Sequence, residues 1–160
     1  SLILSGAADA IVGDEPFASR LLAAQKVFFL TDLAQAETVK NIPGTRFLHA
    51  ALETREDVIA NSPQKVEKMV KMLRKTLQWI ASHTPEELVA MLGVSNAEER
   101  SSLLLALRKN RHAFNHDGKF STRQLQETEK FFQSSSAGNA NAQALRLESM
   151  VDDRWSGRSQ

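Results

Sequence analysis

Cysteine and tyrosine are both absent from this chain. Without cysteine there can be no disulfide, no thiolate nucleophile and no sulfur-ligated metal site. The lack of tyrosine carries no functional reading. Neither sign of charge dominates, since 20 basic residues face 19 acidic ones for a net charge of +1. Nucleic-acid binders normally carry a clustered basic surplus, so the balance argues against that class of partner. No apolar run approaches the roughly 20 residues that cross a bilayer; the longest lies in the short helical segment "SSLLLALRK". The opening "SLILSGAADAIV" has no initiator methionine, basic segment or cleavage motif. It is therefore not a signal peptide, and it is expected to be the interior of a longer polypeptide. Catalytic signatures are missing as well: no nucleophile elbow, no P-loop, no glycine-rich dinucleotide motif and no metalloprotease His-Glu pattern.

What is present suits a globular chain. At 160 residues, 42% apolar and 24% charged, it is long enough for one domain with a real core. Strand character is confined to the first third. Residues 9–13 read as a short buried strand, and "KVFFLT" at 26–31 as a second. Residues 46–53, "RFLHAALE", follow a Pro43-Gly44 turn signal and read as a third. In that strand Phe47, His49 and Ala51 would share one face, with Leu48, Ala50 and Leu52 on the other.

From Thr54 onward the signals are helical. Thr54 to Asp57 resembles a capping arrangement ahead of Val58 and Ile59. Ser62-Pro63 then reads as an N-cap followed by proline at the first helical position. Val66, Met69, Val70, Leu73, Leu77 and Ile80 recur at helical spacing and form one apolar stripe on a long amphipathic helix. Lys68, Lys71 and Lys75 stand on the opposite face. Thr84-Pro85-Glu86-Glu87 predicts a capping box, and Gly93 a helix stop. A further helix over 96–109 would turn Leu103, Leu104 and Leu107 inward. After the turn "HDGKF", Ser121 caps a helix carrying Leu125, Phe131 and Phe132. The polar stretch "SSSAGNANAQ" reads as an irregular connection, and the remaining tail as a short helix or extended segment.

The chemistry-bearing residues are few. In "DAIVGDEPFASRLL" two carboxylates, Asp14 and Glu15, stand where a buried strand would end and a helix begin. Such a pair can do acid/base work or accept hydrogen bonds from a ligand. The alternative is a solvated helix N-terminus, where acids complement the dipole. His112 and His116 have the spacing of a helical metal pair, yet the turn beside them argues against a helix running through both. His83 precedes a cap and is expected in solvent. His49 lies among apolar strand residues, as either a hydrogen-bonded structural histidine or a ligand contact. The ridge Lys68, Lys71, Arg74 and Lys75 is a solvated face or a surface for an anionic partner.

The order of these pieces resembles the ABC-transporter solute-binding proteins of the nitrate/sulfonate/taurine type. In "SGAADAIVGDEPFASRLL", Gly6, Asp9, Ala10, Glu15 and Pro16 match that family's motif of an apolar strand leading into Trp-Glu-Pro, with Asp14 in place of the aromatic. In "FLHAALETREDVIANSPQKVEKMVKMLRKTLQWIASHTPEEL" the resemblance rests on Asn61, Pro63, Trp79, Ile80, Pro85 and Glu86. "DGKFSTRQLQETEKFF" and "VDDRW" resemble the closing helix and tail, so the likeness spans nearly the whole chain.

The resemblance implies a helix-rich α/β fold, the C-terminal half of a type II periplasmic binding protein. Residues 1–45 would end lobe two and cross the hinge, 46–133 would supply the closing strand and helices of lobe one, and 134–160 a flexible connection and tail. It implies a transport protein without catalysis or cofactor, located in the periplasm or held outside the cytoplasm by a lipid anchor. Its partners would be a small-molecule solute, the transporter's permease and the missing N-terminal half of the same protein. Asp14, Glu15 and Phe17 would line the cleft rim, with His49 and Thr54 on or after the lobe-crossing strand. Two acids suit a neutral or amine-bearing solute better than a bare anion. Two other classes stay open: a ligand-sensing or pyrimidine-synthesis-like enzyme domain on the same fold, for which His49 is the candidate reactive group, and a helical interaction module built on the lysine ridge.

Overall fold

The computed structural model describes residues 2–25, 27–33, 35–40, 44 and 46–159, with the backbone alone at Ala36. In chain order it contains α1 (Phe17–Ala23), α2 (Ala36–Val39), α3 (Glu56–Asn61), α4 (Pro63–Ser82), α5 (Pro85–Met91) and α6 (Ala97–Lys109). A 3-10 turn (Arg111–Ala113), strand β1 (Phe120–Ser121), α7 (Thr122–Ser135), α8 (Ala140–Ala144), a second 3-10 turn (Leu147–Met150) and strand β2 (Arg158–Ser159) complete it. The two strands pair in parallel, Phe120 opposite Arg158 and Ser121 opposite Ser159. The chain is helix-rich and, with this small parallel sheet, α/β in the coarse sense.

Helix boundaries follow the local chemistry. Thr84 accepts from the Glu87 backbone N–H at 3.2 Å while the Glu87 carboxylate takes the Thr84 N–H at 2.8 Å, closing the capping box that opens α5. The Thr84 N–H, and after it the Thr84 hydroxyl donating to the same oxygen at 3.1 Å, hold the Glu87 carboxyl below the usual range. Gly93, one residue past the cap of α5, adopts a φ of +64°, the left-handed turn that stops a helix. Ser121 and Gln124 form a second reciprocal box ahead of α7. Pro63 opens α4, with the Ser62 carbonyl accepting from Lys65 N–H at 3.0 Å. The polar stretch after α7 is more ordered than its composition suggests: the Asn139 side chain accepts from Asn141 and Ala142 N–H groups and starts α8. The tail is tied back by the Leu147 N–H, which donates to Glu129 Oε1 at 2.7 Å.

The three expected strands of the first third are not strands. Residues 9–13, the described part of 26–31 and the described part of 46–53 are irregular. Lys26, and Pro43 of the turn signal, lie outside the described residues. The physical reason is the want of a neighbour. An isolated extended segment has no ladder for its N–H and C=O groups and is not stable alone. Val12 is fully exposed, Phe28 is 81% exposed and Leu30 79%, so their apolar side chains cover no layer. Leu48 N–H, instead of joining a ladder, donates to Thr128 Oγ1 on α7 at 2.9 Å. The apolar stripe of α4 is likewise only partly covered. Val66 is buried, while Met69 and Leu73 of the same stripe remain exposed.

The chain divides into two compact units. One comprises Ser1–Asp32 and Ile80–Phe114, the other Leu33–Trp79 and Asn115–Gln160, with the division inside the last turn of α4. In the first, α1 and α5 both pack on α6, around Leu21, Val89 and Ala106. Lys109 at the end of α6 holds Asp32 at 2.7 Å and lies 4.1 Å from the Phe29 ring centre, pinning that irregular segment. In the second, α7 is the hub, contacting β1, α8 and the Leu147–Met150 turn, with Leu125 and Thr128 buried on it. The surface left to solvent is 11715 Å². Two separate compact bodies of these sizes would expose roughly 9,600 Å² between them. Large apolar side chains stay exposed in each unit, among them Val12, Phe28 and Met91 in the first and Leu33, Met72 and Met150 in the second.

Candidate functional site

The twin acids divide their roles. Glu15 is half-buried, and its Oε2 accepts the Ser19 backbone N–H at 3.1 Å. That donor is one of the orphan N–H groups of the first turn of α1, so Glu15 acts as a cap from one position before Pro16. Pro16 takes the flanking N-cap position and not the first helical one. Glu15 Oε1 also receives Asn110 Nδ2 at 3.5 Å, and the same amide donates to the Ala106 carbonyl at 3.1 Å. One carboxylate thus links the start of α1 to the end of α6. Asp14, by contrast, is exposed; its main-chain carbonyl accepts from Ala18 N–H at 2.9 Å, and its carboxylate makes no hydrogen bond among the described residues. Phe17, the first residue of α1, is 38% exposed and lies with its ring against Gly13.

Ser19 supplies a further observation. It is 1% exposed, and its hydroxyl has no hydrogen-bond partner among the described residues. A buried unsatisfied hydroxyl costs about 1–3 kcal/mol. Ser19→Ala keeps the N–H that Glu15 holds and removes the orphan, so it is expected to raise stability by about 1 kcal/mol. A urea titration reads this directly. A loss of similar size would show that the hydroxyl serves a partner.

His49 and Thr54 stand in the second unit. His49 is exposed, its ring centre 4.3 Å from that of Phe47 with the planes tilted by 37°. Phe47 in turn stacks on Phe131 of α7 at 4.1 Å and 15°, and Phe131 meets Phe132 edge-on at 5.6 Å. The four rings make a column that ends in an imidazole open to solvent. Such a column offers a flat apolar face beside a hydrogen-bonding nitrogen, as ring-shaped ligands require. Thr54 is exposed and does not cap α3; Arg55 takes the N-cap position, and its guanidinium grips Asp57 through hydrogen bonds of 2.8 and 2.6 Å. That contact holds the Asp57 carboxyl below its ordinary range.

Asp14, Glu15 and Phe17 are therefore brought together in one unit, and His49 and Thr54 belong to the other. Asn110 and Phe131 were not singled out from the sequence as partners of these residues. Phe131 had a signal, since a paired Phe131-Phe132 at the end of an amphipathic helix marks a large apolar surface. Asn110 had none beyond its place after α6. His112 lies in the 3-10 turn past the end of α6, so the histidine pair does not ride on that helix. A polar recess of about 240 Å³ between Arg20, Asn96, Glu98 and Glu99 is lined by none of the five expected residues. It is smaller than the roughly 300–1,000 Å³ of ordinary ligand pockets. No family model, curated protein or solved structure compared with the chain matches it.

Proposed function

We propose that this chain is the C-terminal half of a two-lobed, type II solute-binding protein of an ABC importer, which captures a small molecule and delivers it to a permease. The observation that carries this reading is the succession of elements from α3 to α7. The α3 helix ends at Asn61, Pro63 opens the long α4, Trp79 and Ile80 close it, and the Thr84 capping box starts α5. That is the order the resemblance implies. The uncovered apolar area supports a companion half, because segments 9–13, 26–31 and 46–53 would find their ladder partners in a sheet completed by other strands. Residues 1–45 would then end lobe two and 46–133 would close lobe one, outside the cytoplasm.

Binding in such a protein works by population shift: contacts made only in the closed form supply the differential affinity. Asp14 is the carboxylate available to a ligand donor, with Phe17 as the apolar wall beside it. Glu15 stiffens that rim through Ser19 and Asn110. The resemblance adds His49, on its aromatic column, and Thr54 together as the weaker candidate contacts. A free carboxylate at the rim favours a neutral or amine-bearing solute over nitrate or a sulfonate.

The test is a thermal-shift screen of the full-length polypeptide against neutral, amine-bearing and anionic small molecules. A solute at about 100 times its dissociation constant is expected to add roughly 2.7 kcal/mol of stability. Asp14→Ala is expected to abolish that gain while leaving the unliganded melting point unchanged. Stabilisation by sulfonates that survives Asp14→Ala would overturn the assigned ligand class. The absence of stabilisation by any solute would overturn the function.

A further inference from the structure

The α4 helix carries a second stripe besides the apolar one. Lys65, Lys68, Met72, Lys75 and Trp79 follow one another in steps of three and four, which sets them in a line along one side of the helix. At the helical rise of 1.5 Å per residue the line is about 21 Å long. All three lysines in it are exposed, Met72 is 54% exposed, and Met69 at its edge 43%. None of these lysines, nor the neighbouring Lys71, makes an ion pair or a side-chain hydrogen bond among the described residues. Elsewhere Lys40, Lys109 and Lys130 each hold a carboxylate at 2.9 Å or less. Arg74 on α4 is also engaged, donating to the Asp117 carbonyl at 2.9 Å. Over its whole length α4 has five cations against one acid, Glu67, although the chain as a whole is nearly neutral.

We propose that this stripe docks on an anionic lipid surface. The pattern calls for an occupant that accepts cations and apolar tips side by side along one line. A bilayer with acidic headgroups does so: lysine ammoniums reach the phosphates on their flexible stems while the exposed methionine side chains enter the layer beneath. A nucleic-acid backbone offers charge but no place for Met69 and Met72. Each lysine near an anionic bilayer is worth about a fivefold gain in partitioning, and the attraction is screened within a Debye length of roughly 10 Å at moderate salt. The inference rests on α4 alone and is independent of the reading of the solute site.

The experiment is co-sedimentation of the chain with vesicles of phosphatidylcholine alone and of phosphatidylcholine with phosphatidylserine in a two-to-one ratio. Binding to the mixed vesicles is expected, with little to the neutral ones and a steep loss as salt is raised. Lys68→Gln with Lys75→Gln together remove two exposed cations and are expected to weaken binding by about 25-fold. Circular dichroism of that variant checks that its helices are retained. Met72→Gln is expected to weaken vesicle binding without altering retention on a soluble polyanion such as poly-glutamate. Equal binding to both vesicle types, or retention on poly-glutamate or duplex DNA without vesicle binding, overturns the proposal.

Discussion

Gly44→Ala is expected to lower stability by roughly 2–4 kcal/mol, the sum of a strained backbone and an overpacked contact. Gly44 is buried with a φ of +77°, where an L-residue's Cβ crowds its own carbonyl. The added methyl would also lie 2.5 Å from the Phe131 backbone nitrogen and 2.6 Å from its Cα. Those are atoms of a helix and cannot swing aside as a side chain would. Gly44 N–H donates to Glu127 Oε2 at 3.1 Å, and Lys130 holds the other oxygen of that carboxylate at 2.8 Å. Lys130 chiefly, and this N–H after it, keep the Glu127 carboxyl below its usual range. Pushing residue 44 away from α7 therefore strains three ties together: the Glu127 bond, the Phe47–Phe131 stack and the Leu48–Thr128 bond. Gly93→Ala is the control. Its φ is +64° but nothing lies within 4 Å of the added carbon, so only the backbone term of about 1 kcal/mol applies. Urea midpoints of the two variants decide the matter. Equal losses would mean that residue 44 does not approach α7 closely.

The contrast between those two glycines marks what a sequence discloses. Gly93 was legible because a helix stop is a local device, written in the residues just before it. Gly44 was legible only as half of a turn signal; its close approach to α7 is a contact across more than eighty positions, which no local pattern encodes. The same division runs through the fold. The Thr84 capping box, the Ser121 cap, the start of α4 at Pro63 and the extent of α6 follow from short-range hydrogen bonding and periodicity, and the structure has them where the sequence puts them. The strands fail for the complementary reason. "KVFFLT" and "RFLHAALE" have the composition of strands, but a strand exists only with a partner, and composition does not supply one. At the candidate site the sequence could pair Asp14 with Glu15 but not distinguish them. The distinction comes from Asn110 and the buried Ser19 N–H, which engage Glu15 and leave Asp14 to solvent.

Leu125→Ala is expected to cost about 2–5 kcal/mol, the range for deleting a buried leucine. Leu125 is 2% exposed on α7, whose neighbours β1, α8 and the Leu147–Met150 turn all depend on that helix for their packing. The core hydrophobic residues buried among those described are few: Leu21, Val39, Val66, Val89, Ala106 and Leu125. Of these Leu125 is the one leucine in the second unit, and a small core has little else to spread the loss over. Net stabilities of domains run about 5–15 kcal/mol, so this substitution alone removes a large share and is expected to leave part of the population unfolded near body temperature. The opposing consideration is collapse. A loosely filled unit can relax around the missing methyls, which draws the cost towards the lower end of the range. Met72→Ala separates the two effects, because Met72 is 54% exposed and its truncation leaves no cavity. Its expected cost is within about 0.5 kcal/mol. If Leu125→Ala shifts the urea midpoint no more than Met72→Ala does, α7 is not the helix around which this unit is built.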